Sequence, residues 1–145
     1  MMLPKTRLDK LVQVRERTED SALSNLAKAR EILGRAQETL GRAVALAQAD
    51  HRGASHAAHW DVEEAAHVRA LQALRSARGE VTQAAAGEAM ARVGYVEARK
   101  AAESARRVAD RKRAEVLRGL AKADARRLDE LGTIAFNRDR KPSGA

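Results

Sequence analysis

The sequence predicts an all-α fold, a long antiparallel two-helix coiled-coil hairpin, and three observations carry that expectation. Of the 145 residues 32 are alanine and a third are charged, which is the composition of long helices and coiled coils. Leu26, Leu33 and Leu40 fall seven apart, with Ala29, Ala36 and Ala43 between them at the three-then-four spacing of a heptad seam. No proline interrupts the chain between Pro4 and Pro142. Phe, Trp and Tyr occur once each, so there is little bulk for a globular core, and an enzyme domain with a roomy pocket is excluded.

Helix one is expected over about 5–50. Its stripe reaches back through Ala22, Val12 and Leu8, but the same frame places Arg15 and Glu19 on it, so the seam is well formed only from Ala22 onward. Leucines alternating with alanines let a second helix approach closely, because alanine leaves the backbone nearly bare. The periodicity lapses at about 51–60, where Gly53 suits a helix C-terminus, and Ser55 or Asp61, with Glu64 three residues after Asp61, suits the next N-terminus. A competing turn lies at Gly79 or Gly87. Helix two follows over about 61–138 through Val68, Leu71, Leu74 and Val81, then Val108, Val116, Leu117, Leu120, Leu128 and Leu131, with a basic tail at 139–145. A helix of about 70 residues would be roughly 100 Å long, so the expected object is a single rod. Gly34 with Gly41, and Gly87 with Gly94, share faces seven residues apart; each pair reads as a point of close helix packing or as room for a partner.

The formal charge of +8 is concentrated late in the chain, where residues 96–145 hold fourteen basic and eight acidic side chains. The run Ala105-Arg106-Arg107-Val108-Ala109-Asp110-Arg111-Lys112-Arg113 has the charge of a nucleic-acid strip. Helical spacing spreads it around the rod, however, and Asp110 and Glu115 interleave, which favours a salt-bridging face. A chain without cysteine has no disulfide or thiolate chemistry and suits a reducing compartment. Its longest apolar run falls far short of the ~20 residues that span a bilayer, so no membrane insertion is expected and the chain reads as soluble and unprocessed. His56, His59 and Glu63, with His51 and His67 nearby, can be drawn as a metal site, but the spacing lacks a closed ligand set, and neither metal nor cofactor is expected. No phosphate loop, dinucleotide turn or HExxH helix occurs, so no catalytic residue is assigned. Trp60, beside the break, is either an anchor for a partner or a plug over the end of the helix pair.

The order of these features resembles a known family. Arg7-Leu8-Asp9-Lys10-Leu11-Val12-Gln13-Val14-Arg15-Glu16-Arg17 is similar to the "LxxLLxxRE" opening of the flagellar export protein family FliJ. Arg126-Arg127-Leu128-Asp129-Glu130-Leu131, followed by Ala135, Arg138, Arg140 and Lys141-Pro142, resembles its basic-basic-apolar-Asp-Glu close and basic tail. Trp60 falls where members carry an aromatic after the mid-chain break, while helix two departs from some relatives in its scarcity of aromatics.

The resemblance implies a component of a type III export apparatus, flagellar in the first place and of the injectisome type in the second. Such a component is not an enzyme. It acts as the central stalk of a hexameric export ATPase, cytoplasmic and peripheral to the inner membrane, and links that ring to the export gate; export chaperones are further partners. For ring binding it implies Arg7, Leu8, Lys10 and Leu11 together with Arg126, Arg127, Leu128, Asp129, Glu130, Leu131, Arg138 and Arg140, a positive cluster around an apolar plug. For the cytoplasmic domain of the gate it implies Trp60, His67, Leu71, Leu74 and Arg78, which recur on one helix face. The rival expectations are a basic helical nucleic-acid-associated protein and a purely structural coiled-coil spacer.

Overall fold

The computed structural model describes residues 4–49 and 59–140, and Gly53, Ser55, His51, His56 and the Lys141-Pro142 tail lie outside them. Among the described residues there are two helices and no strand, α1 (Leu8–Gln48) and α2 (Trp60–Arg140). The fold is an all-α helical hairpin. α2 runs through Gly79 and Gly87 without a break.

The start of α1 is held by one half of a capping box, the carboxylate half, while the Thr6 hydroxyl also donates to Asp9. Asp9 accepts a hydrogen bond from the Thr6 backbone N–H at 2.8 Å, and the Asp9 N–H returns one to the Thr6 carbonyl at 3.1 Å, so two amides that a helix start leaves open are satisfied. Asp61 and Glu63 lie in the first turn of α2, where the helix dipole favours acids. Asp61 thus falls just inside the helix.

Both helices contribute to two compact units, one of residues up to Glu16 and from Ala101 onward, the other from Arg17 to Lys100. In the second unit α1 buries Leu26, Ala36 and Ala43, with Ala29, Leu33 and Leu40 half-buried, so the seam read from the sequence is the one that packs. α2 answers with a heptad path of its own. His67, Ala70, Leu74, Ala77, Val81, Ala84, Glu88, Ala91, Tyr95 and Ala98 alternate by three and four and are all buried or half-buried. Val68 and Leu71, expected on this stripe, are exposed instead, because the alanines at 70, 77 and 84 set the register and the bulkier residues one position away fall off the seam.

In the first unit the core is alanine almost throughout, with Ala102, Ala105 and Ala109 buried and Leu8, Val12 and Val116 half-buried. Val108 is exposed. Ion pairs show that the helices are antiparallel: Arg113 of α2 bonds to Asp9 of α1, and Arg106 bonds to Glu16 at 2.9 Å.

The glycine pairs are not close-packing points. A Cβ built at Gly34, Gly41, Gly87 or Gly94 would meet nothing within 4 Å, so neither pair is demanded by the approach of the other helix. No helix among the described residues is long and apolar enough to cross a membrane.

Candidate partner-binding surfaces

The end of the first unit departs most from a closed helix pair. α1 begins at Leu8, opposite the turn of α2 that holds Arg113, and α2 continues to Arg140. From Leu117 to Arg140 every residue is exposed. This overhang is about 36 Å of helix at 1.5 Å per residue. It carries Leu117, Leu120, Leu128, Leu131, Ile134 and Phe136, the leucines at 128 and 131 being 68% and 62% exposed. Most helical stability in proteins comes from packing an apolar face, and an exposed apolar stripe of this extent has the character of an interaction surface.

The resemblance brought the two ends together around a common apolar plug, and the structure places them otherwise. Leu8 is half-buried against α2, and Arg7, Lys10 and Leu11 are exposed at the root of the overhang. Arg126, Arg127, Leu128, Asp129, Glu130 and Leu131 begin 13 positions beyond Arg113, about 20 Å further along the axis. Arg138 and Arg140 sit at its tip, where the Arg140 guanidinium lies 5.8 Å from the centre of the Phe136 ring. Arg138 approaches Asp139 at 3.9 Å. Asp9 takes up the charge at the root: the Thr6 N–H first, and then Arg113, hold its carboxyl below the usual range against the opposing effect of burial.

The basic run at 105–113 is largely committed to acids. Arg106 pairs with Glu16, Arg107 with Glu103, Lys112 with Glu115 at 3.2 Å, and Arg113 with both Asp9 and Asp110. A strip so paired has few cations to offer phosphates. In contrast, the side chains of Arg118, Lys122, Arg126 and Arg127 on the overhang make no ion pair among the described residues.

In the second unit Trp60, His67, Leu71, Leu74 and Arg78 do share one flank of α2. His67 and Leu74 turn onto α1 and are half-buried, while Trp60, Leu71 and Arg78 face outward. Trp60 is 62% exposed at the first residue of α2, and among the described residues it covers no part of the helix pair. His59, next to it, joins no metal-ligating group of three or more among the described residues.

Glu88 escapes a reading by periodicity. It occupies a seam position of α2, is 8% exposed, and accepts hydrogen bonds from Arg92 at 2.7 Å and from Arg30 of α1 at 3.4 Å. Arg92, and after it Arg30, hold its carboxyl below the usual range although burial pushes the other way. The signal was present as an acid on an otherwise small-residue heptad path with a basic residue four positions on. The Thr6-x-x-Asp9 capping box was also legible as a motif.

Among the described residues, two long antiparallel helices with a narrow seam and a charged surface define the chain as a coiled-coil hairpin. The chain matches the family described as Flagellar FliJ protein over residues 4–141, and it belongs to that family. Membership carries a role connected with flagellar or type III protein export. No curated protein and no solved structure matches it.

Proposed function

We propose that the chain is the central stalk of a hexameric export ATPase, and that the overhang of α2 is the part that enters the ring. The observation that carries this reading is the bare helix from Leu117 to Arg140, in which exposed leucines stand among basic residues, Arg118, Lys122, Arg126 and Arg127, that make no ion pair among the described residues. A ring pore lined by acidic loops would attract Arg126 and Arg127 over a distance and seat Leu128 and Leu131 against its apolar wall, with Arg7 and Lys10 meeting the rim. The stalk needs no active site. It acts by contacting one ring conformation better than another, which shifts the population of the favoured state. On the other unit the outward face of Trp60, Leu71 and Arg78, with His67 and Leu74 behind it, would meet the cytoplasmic domain of the export gate.

The test is stimulation of the partner ATPase by the wild-type chain, by an Arg126→Glu/Arg127→Glu variant, and by a chain truncated after Val116. The charge-reversed chain should keep its helix content and the truncated one the helix pair up to Val116, since the changed residues are exposed, and both should lose the stimulation. Equal stimulation by all three would show that the ring, if it binds at all, binds elsewhere.

A further inference from the structure

We propose that, in the absence of another partner, two copies of this chain pair through their overhangs, antiparallel and in a single register. The inference is independent of the export reading. It begins with spacing: Leu117, Leu120, Asp124, Arg127, Leu131 and Ile134 alternate by three and four and so form one uninterrupted heptad stripe, fully exposed. The stripe opens one residue after Val116, the last half-buried residue on the seam by which α2 packs on α1, and so lies about 100° round the helix from that seam. Among the described residues it is a face beside the one that α1 takes up, and nothing covers it.

The order of residues on the stripe selects the occupant. Read from either end it runs apolar, apolar, charged, charged, apolar, apolar, with the two charges opposite in sign. Laid antiparallel on a second copy, Leu117 meets Ile134, Leu120 meets Leu131, and Asp124 meets Arg127, and each contact occurs twice about a two-fold axis. A parallel pair would stack Asp124 on Asp124 and Arg127 on Arg127. Shifting the antiparallel pair by four residues would press Asp124 against Leu131. Charge and apolar matching thus agree on one alignment, as neither would for an arbitrary helix.

The length also fits. The stripe starts where α1 ends its cover, and the second copy's overhang takes up a neighbouring face of α2 just beyond Leu8, so that it passes alongside α1. The last residues, from Ala135 on, then lie beside the start of the other copy's α1, where Leu11 is also exposed.

Sedimentation equilibrium of the full chain alone should show the mass doubling as concentration rises. A Leu120→Glu/Leu131→Glu chain should stay monomeric with unchanged helicity, because both leucines are exposed within one copy. Arg127→Asp should weaken the dimer at least about tenfold by setting like charges opposite, and Asp124→Arg/Arg127→Asp should restore it. The chain has no cysteine, so mixing Leu117→Cys and Ile134→Cys chains under oxidation reports the register directly through a mixed disulfide. A monomer at every concentration, a dimer indifferent to the leucine changes, failure of the swap to restore, or absence of the mixed disulfide would each overturn the proposal. None of these results bears on stimulation of the ATPase.

Discussion

Glu88 shows what a carboxylate does on a heptad path, that of α2 from His67 to Ala98, which otherwise holds no acid. Its folded pKa lies below the ordinary 4.5, so its pairing with Arg92 and Arg30 stabilises the protein in full above that value, and the contribution is lost as pH falls through the lowered folded pKa. Melting followed by circular dichroism from about pH 6 to about pH 3 should therefore show a falling midpoint, and Glu88→Gln should flatten the fall. A variant with the same slope as wild type would remove Glu88 as a source of it; Asp9, lowered in the same direction, would account for what remains. Gly94 illustrates the opposite situation. It lies inside α2 with open space where a Cβ would go, so Gly94→Ala should raise stability by about 0.5–1 kcal/mol through helix propensity and a less free unfolded chain. A lowered melting temperature would mean that this glycine is required by a contact the isolated chain does not contain.

At the level of the helices, the two ends of α2 obey different economies. Where α1 packs, one side chain carries much of the burial: Leu26 is the one large apolar residue among the buried set, and Leu26→Ala should cost about 2–5 kcal/mol in transfer and cavity terms. Leu128, on the overhang, should change the stability of the isolated chain by no more than about 0.5 kcal/mol when cut to alanine, since it is exposed before and after. Denaturant midpoints of the two variants, taken in dilute solution, measure the contrast. Similar losses from both changes would mean that the overhang is packed. The path of α1 was legible in the sequence because leucine and alanine alternate on it. The path of α2 was harder to read. Its register is held by Ala70, Ala77, Ala84, Ala102, Ala105 and Ala109, and alanine is so common in this chain that bulkier neighbours such as Val68, Leu71 and Val108 drew the frame to their own positions.

For the whole chain, composition and the absence of internal proline were enough to give the class of fold, because both act on every residue alike. Surfaces are less legible, since exposure depends on where the other helix stops. Leu8 and Leu128 look equivalent in sequence, each beside basic residues, yet the start of α1 opposite Arg113 covers one and leaves the other bare. The net charge of +8 has the same character. Read as a sum it suggests a polyanion, but in place it divides into a run at 105–113 held by acids and a set on the overhang that is not. The flank of α2 that includes Trp60 was legible as a face by spacing alone, and which of its side chains look outward was not.

The arginines that meet the start of α1 belong to a ladder. Arg99, Arg106 and Arg113 stand seven apart on α2, so a slip of one heptad would simply hand Asp9 from Arg113 to Arg106 and leave it as well paired as before. Alanine knobs on the seam would accept such a slip too, being alike from one layer to the next. Arg30 has no such second choice: one heptad from Glu88 it would find Val81 on one side and Tyr95 on the other. Where the charged rungs at the start of α1 can be exchanged in this way, it is one tooth, Glu88, that ties the charge pattern to a single alignment of the two helices.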